Sequence, residues 1–195
     1  MVFTTPSSAR IDRLRWLFLL CLAWGTAAFA ANEGIHVKSA EISRNAGDFY
    51  IEANFEVALT RTLEEALNKG LPLHFIVEFE LIRPRWYTLY LWNKSVVDFE
   101  QHVRLSYNAL TRQYRLSLGA LHQNFDTLDE ALALLGRLRP RFVAAEDALD
   151  EGKVYEAAIR MRLDVSQLPK PFQINAIASR DWNLASAWFR WTLTP

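Results

Sequence analysis

The sequence is poor in cysteine. Its 195 residues include one, Cys21, which lies in an apolar stretch close to the N-terminus. The chain after that stretch therefore has no thiol, which excludes a disulfide framework, a cysteine nucleophile and a thiolate metal site. We expect packing alone to stabilise the fold.

Motifs of catalysis and of cofactor binding are also missing. The seven glycines form no phosphate-binding loop, there is no G-x-S-x-G elbow, and the histidines lack the H-x-H or H-E-x-x-H spacing of metal sites. The four histidines are His36, His74, His102 and His122. We therefore predict no metal, no cofactor and no catalytic residue, and a protein that is not an enzyme. A Ser-His-Asp set assembled from distant segments is the alternative, and nothing in the sequence favours it.

An excess of either charge is absent as well. Twenty-two Lys and Arg balance 22 Asp and Glu, so the formal net charge at pH 7 is zero. This balance gives no electrostatic case for binding nucleic acid or an acidic membrane surface. With 51% hydrophobic residues the chain can bury one sizeable core, and we expect a single domain.

The chain does contain the pattern of an export signal. Three arginines within residues 10–15 precede an apolar run at residues 16–23 and an A-x-A cleavage site at residues 28–30. We predict a cleaved signal peptide over residues 1–30, a single mainly-β domain over residues 31–195 and a periplasmic protein. The alternative is an uncleaved membrane anchor, but the apolar run is shorter than the ~20 residues that a bilayer span needs. No stable membrane span is expected after cleavage.

Alternating apolar residues predict β-strands in the middle of the chain. Residues 73–81 carry apolar side chains at every second position, which places them on one face of a strand. Pro84 cannot donate to a ladder, so this strand should end before it. Similar alternation over residues 97–107 and 114–118 predicts an antiparallel meander. Further strands are predicted over residues 35–42, 50–59, 142–145 and 155–165.

Two short helices are predicted from capping boxes, Thr62-Leu63-Glu64-Glu65 and Thr127-Leu128-Asp129-Glu130. In each, the threonine hydroxyl is expected to accept a hydrogen bond from a free amide of the first turn, and the last glutamate to accept one from the amide of the threonine. Gly70 should end the first helix and Pro140 the second, whose apolar stripe runs to Leu138. A duplicated unit would explain the likeness of TLEEAL and TLDEAL, but short helices commonly use these residues.

The C-terminal tail predicts a hairpin. After a proline-stiffened link, the chain should fold about a turn at residues 180–183. Phe172 would then face Trp191, and Ile174 would face Phe189, on one side of the hairpin. We expect the chain to end on a structural strand.

Two clusters of side chains are candidate binding sites. The first combines aromatic faces with guanidinium donors, which suit a sugar, a peptide or a lipid. Its residues are Arg83, Arg85, Trp86, Tyr87, Tyr90 and Trp92. The second is the basic run Arg137-Leu138-Arg139-Pro140-Arg141, which suits lipid headgroups or an acidic partner. The alternatives are aromatic residues that only pack a strand, and a solvated helix end where cations suit the dipole.

Several further elements carry a family resemblance. They are Arg85-Trp86-Tyr87, residues 105–115, Leu168-Pro169, residues 173–176, Asp181-Trp182 and Ser186-Ala187-Trp188. With the export signal, these elements are similar to the exported proteobacterial domain-of-unknown-function family 4390, some of whose members carry the label proline-rich signal peptide protein. The resemblance implies a single-domain envelope protein of a Gram-negative bacterium, encoded near membrane-bound sensor kinases. It implies no catalytic residues.

These observations predict a mainly-β fold, an antiparallel β-sandwich of two sheets with two short α-helices. We expect a non-enzymatic interaction or ligand-binding module of the cell envelope, with a link to a membrane sensor kinase system suggested by the resemblance. Its partner would be an unknown envelope protein or ligand. The alternative is an envelope hydrolase, which would need a deep polar pocket with a convergent histidine and carboxylate.

Overall fold

Nine strands form two antiparallel sheets in the computed structural model, which describes residues 33–84 and 94–195. The strands are β1 Gly34–Asn45, β2 Asp48–Ala58, β3 Leu73–Arg83, β4 Lys94–Asn108, β5 Gln113–Leu118, β6 Leu121–Phe125, β7 Arg137–Ala144, β8 Tyr155–Leu163 and β9 Phe189–Leu193. One sheet has the order β1-β2-β7, and the other has the order β6-β5-β4-β3-β8-β9. The predicted mainly-β sandwich and the predicted meander are therefore confirmed.

Within the described residues, three α-helices accompany the strands, and two of them connect the sheets. The helices are α1 Arg61–Asn68, α2 Leu128–Leu135 and α3 Lys170–Ala178. The chain passes through α1 from the three-stranded to the six-stranded sheet, and it returns through α2. Because α2 joins β6 to β7, it contacts strands of both sheets. In the described part of the chain, no helix is long and apolar enough to cross a membrane.

Strand β3 lies at the centre of the core. It pairs with β4 on one side and β8 on the other, and it ends at Arg83, directly before Pro84, as predicted. Phe75, Val77 and Phe79 on its inner face are at most 2% exposed. Full burial of one such side chain contributes about 1.5–3 kcal/mol to the free energy of folding. The residues at every second position of β3 therefore contribute a large share of the stability of the core.

The N-cap of α1 differs from the prediction. Thr60, rather than Thr62, accepts the amide of Leu63 on its Oγ1 at 3.3 Å. Thr62 Oγ1 instead lies 3.2 Å from Oδ2 of Asp181, and Thr60 Oγ1 donates to the Asp181 carbonyl at 2.8 Å. The predicted cap was wrong by two residues because the helix begins at Arg61, so Thr62 lies inside its first turn.

Helix α2 begins at its predicted cap but ends early. Thr127 Oγ1 accepts the amide of Glu130 at 3.3 Å, whereas the last helical residue is Leu135. Leu138 and Pro140, predicted to lie in the helix and to end it, belong to β7 instead. The helix therefore stops at Gly136, and the chain turns into a strand that pairs with β2.

The predicted tail hairpin is wrong. Residues of its first arm form α3, and β9 pairs with β8, with Trp191 opposite Ala157. Phe172 instead packs against Trp182, with 5.8 Å between the ring centroids. The chain does end on a strand, as expected, but the partner of that strand is a central one.

Local contacts explain why the first arm is helical. Pro171 lies in the first turn of α3, where its fixed backbone angle suits a helix and its missing N–H has no intrahelical role. The side-chain amide of Gln173 donates to the carbonyls of Ser166 and Leu168, each at 2.7 Å. These interactions favour a helix over the strand that the alternation of residues 172–177 indicates.

Candidate ligand-binding groove

The aromatic cluster predicted as a binding site lies mostly outside the described residues. Arg85, Trp86, Tyr87, Tyr90 and Trp92 all fall there. Arg83 is described, and its Nη1 lies 2.6 Å from Oδ2 of Asp150 in a surface ion pair. A role of this cluster in binding remains a prediction.

The basic run, in contrast, lies on the wall of a groove. The groove has a volume of about 600 Å³ and opens between the β4–β5–β6 part of the large sheet and the segment formed by α2 and β7. Its cationic wall consists of Arg137, Arg139 and Arg141. Its apolar residues are Val103, Leu116, Leu118, Leu121, Leu134 and Leu135, and its other polar residues are Gln101, His122 and Gln123. We call this feature the cationic groove.

The arginines stand on a strand rather than at a helix end. The interpretation as cations at a helix C-terminus is therefore wrong, because the helix stops before Arg137 and β7 begins there. Within β7, Leu138 pairs with Ala53 and Arg141 pairs with Ile51, so Arg139 and Pro140 together face one residue of β2. Such a bulge accommodates a proline on an edge strand.

Arg141 is held in a fixed position. It is half-buried, its Nη1 donates to Oε1 of Gln101 at 3.0 Å, and its guanidinium carbon lies 4.2 Å from the centroid of the Phe99 ring. These contacts join β7 to β4 across the two sheets. The guanidinium is therefore positioned before any ligand arrives, which lowers the entropy cost of binding.

The electrostatics of the groove are one-sided. None of its lining residues among those described is an Asp or a Glu. Within residues 33–84 and 94–195, no ion pair involves Arg137, Arg139 or Arg141. The arrangement can therefore bind a negative group at the arginines and an apolar group against the leucines.

A second groove, of about 540 Å³, differs in character. It lies where α2 approaches β1 and β2, and its lining includes Lys38, Glu56 and Asp129. Nζ of Lys38 lies 3.4 Å from Oε2 of Glu56, and Arg137, which also lines the cationic groove, balances Asp129, so this lining has equal numbers of positive and negative side chains. It gives no comparable preference for one kind of ligand.

The described residues offer little for other chemistry. In the ranges described, no group of three His, Cys, Asp or Glu side chains could hold a metal ion. His74 lies on β3, where burial and the charge of Arg104 hold its pKa below the ordinary value. Since that keeps His74 neutral near pH 7, it adds no charge to its surroundings.

Sequence reasoning found the arginines but not the opposite wall. Leu118 and Leu121 flank the tight β5–β6 turn and are 42% and 73% exposed. In the sequence, the signal that could have indicated this wall is a leucine on each side of the turn. Its position across from β7, however, depends on the crossover through α2, which no local pattern encodes.

The chain is by its fold a mainly-β sandwich domain that presents a groove with cations on one side. Its sequence matches the family described as Domain of unknown function (DUF4390) over residues 32–192. The chain belongs to that family, which confirms the resemblance seen in the sequence. A search of curated proteins and a search of solved structures each found no match.

Proposed function

We propose that this chain is an exported, non-enzymatic ligand-binding module of the cell envelope, and that the cationic groove is its ligand site. The observation that carries the proposal is the combination of an accessible apolar wall with three arginines that have no carboxylate partner among the described residues. An apolar wall that is open to solvent favours association with an apolar group, and guanidinium groups without a carboxylate partner are available to an anionic one.

The composition of the groove supports a binding role over a catalytic one. Hydrolysis needs a nucleophile or an activated water next to a base that a second group orients. His122 is the histidine in the lining, and the described lining residues include no Ser, Thr, Cys, Asp or Glu to complete such a set. An exported location is supported by the arginines, apolar run and A-x-A site at the start of the chain.

A neutral environment-sensitive dye tests the ligand site. Nile red should bind the purified protein and gain fluorescence, and it should lose most of that gain in the double variant Leu118→Asn, Leu121→Asn. Both side chains are partly or largely exposed, so we expect the variant to remain folded. The matched control is Leu110→Asn, because Leu110 is 95% exposed and lies outside the groove. Equal fluorescence in all three proteins would overturn the proposal.

A further inference from the structure

We infer that the ligand of the cationic groove is a single-chain anionic amphiphile, one alkyl chain that carries a carboxylate or phosphate head. The inference rests on the proposed function and names the ligand class for the same site. It follows from the charge of the groove, from its leucine wall and volume, and from the irregular edge of β7.

The charge of the groove selects an anionic head. Arg139 is exposed on the bulge of β7, and Arg141 is fixed next to it by Gln101 and Phe99. The bond to Gln101 uses one of the five N–H groups of the Arg141 guanidinium, which leaves others for a ligand. Carboxylates and phosphates accept paired hydrogen bonds from guanidinium groups, and these bonds are stronger than neutral ones. The arginine wall therefore favours an acid over an alcohol or an amine of equal length.

The leucine wall selects an alkyl chain. Leu118 and Leu121 stand across the groove from β7, Leu116 extends their apolar surface, and Leu134 of α2 adds an apolar side chain on the facing side. Each methylene group that leaves water there strengthens binding, so the apolar surface favours a ligand with an alkyl chain. One chain with a head group suits the volume of about 600 Å³, which lies within the range of roughly 300–1,000 Å³ found for sites that take one small molecule.

The edge of β7 disfavours the main alternative, an acidic peptide added as an extra strand. Strand addition needs a regular row of free N–H and C=O groups. In β7 the pairing with β2 shifts register twice, once between Phe49 and Tyr50 and once between Ile51 and Ala53, and Pro140 has no N–H to donate. A peptide would therefore find an interrupted edge, whereas an amphiphile needs no ladder.

Displacement of bound Nile red by ligands of one chain length tests this inference. The competitors are decanoate, decyl phosphate, decanol, decyltrimethylammonium and an extended peptide of alternating Glu and Leu. We expect the two anions to displace the dye at least about tenfold more effectively than decanol, since one charge-assisted contact supplies that difference. The decanoate and decyl phosphate arms show which head group is preferred.

Arginine variants show whether the preference arises in the groove. Arg139→Gln and Arg141→Gln should each weaken decanoate about tenfold and leave decanol unchanged, while Arg115→Gln, on an exposed site of β5 that does not line the groove, should change neither. Arg139→Gln suffices if loss of the Gln101 contact unfolds the Arg141 variant. Equal displacement by decanol and decanoate, or displacement by the peptide alone, would overturn the inference but leave the ligand site intact. Absence of dye binding in the wild-type protein would overturn the proposed function itself.

Discussion

At the scale of single residues, Glu78 is a buried carboxylate that two arginines contact. It lies on the outer face of β3, is 8% exposed, and accepts hydrogen bonds from Nε of Arg160 and, at 2.7 Å, from Nε of Arg162. Burial alone would raise the pKa of Glu78, but the hydrogen bonds and charges of the two arginines hold the pKa below its ordinary value of 4.5. Trp188 packs on Arg160, with its ring centroid 4.4 Å from the Arg160 guanidinium carbon.

Glu78→Gln should lower the free energy of unfolding by about 2 kcal/mol at neutral pH, because it removes hydrogen bonds to charged groups. A depressed pKa stabilises the fold fully above pH 4.5, where the unfolded chain is also ionised. Below that pH the unfolded chain takes up the proton first, so the wild-type protein loses this contribution as the pH falls through the folded pKa.

Urea unfolding at a series of pH values measures this effect. The wild-type protein and Glu78→Gln should converge in stability below about pH 4.5. The control is Glu80→Gln, an exposed glutamate on the same strand, which should follow the wild-type curve. A constant difference between wild type and Glu78→Gln from neutral to acidic pH would contradict the assignment.

Several residues that carry the resemblance in the sequence make structural contacts in the described part of the chain. Tyr114 donates its hydroxyl to Oδ1 of Asn68 at 2.8 Å, which ties β5 to the end of α1. Trp182 is 6% exposed within the core, and Asp181 contacts both threonines at the start of α1. These contacts join β5 and the C-terminal segment to α1.

At the scale of elements, the close approach of α2 to β2 positions the arginine wall. A Cβ at Gly136 would lie 2.1 Å from the carbonyl oxygen of Phe55, and the amide of Phe55 donates to the Gly136 carbonyl at 2.7 Å. Only glycine allows this contact, which directs the chain from the helix into β7. Gly136 thus both ends α2 and sets the direction in which residues 137–141 leave the helix.

Gly136→Ala should destabilise the protein by about 3 kcal/mol, although alanine favours helices, because the new methyl group clashes with backbone atoms. Gly119→Ala is the matched control. Gly119 has open space around its Cβ position and a φ of 57°, so alanine there meets only backbone strain of about 1–2 kcal/mol. Thermal unfolding compares the two. A Gly136 variant as stable as the wild type would show that the helix and β2 do not approach this closely.

The tail gives a second test at the scale of elements. In the structure, Phe172 contacts Trp182 and not Trp191, whereas the hairpin predicted from sequence pairs Phe172 with Trp191. A double-mutant cycle with alanine should therefore give a coupling energy of about 0.5–1.5 kcal/mol for Phe172 and Trp182, as for other aromatic pairs. For Phe172 and Trp191 the coupling should be near zero. Coupling between Phe172 and Trp191, with none between Phe172 and Trp182, would support the predicted hairpin instead.

The elements also show what sequence can and cannot predict here. The alternation in β3 and β8 gave the correct strands, because burial of one face requires a period of two. The end of α2 was mispredicted because Leu138 continues the helical spacing by coincidence, while a contact with β2 ends the helix. The basic run was visible as a cluster, but its opposition to Leu118 and Leu121 depends on the order of strands in two sheets.

At the scale of the whole molecule, the proposed export makes a direct prediction. The protein should accumulate in the periplasmic fraction as a species that begins near residue 31, because the arginines, apolar run and A-x-A site have the pattern of a cleavable export signal. The intact mass of the protein in that fraction identifies its N-terminal residue. Recovery of the full-length chain from the membrane fraction would instead indicate an uncleaved anchor.

The central claim is that the whole fold presents one ligand site, the cationic groove. Methyl NMR spectra of the leucine-labelled protein, titrated with decanoate, test it most directly. The account predicts saturable shifts for the methyl groups of Leu116, Leu118, Leu121 and Leu134, with Leu63 and Leu67 of α1 unchanged because they are fully buried away from the groove. Shifts confined to other leucines, or none at saturating ligand, would contradict the account.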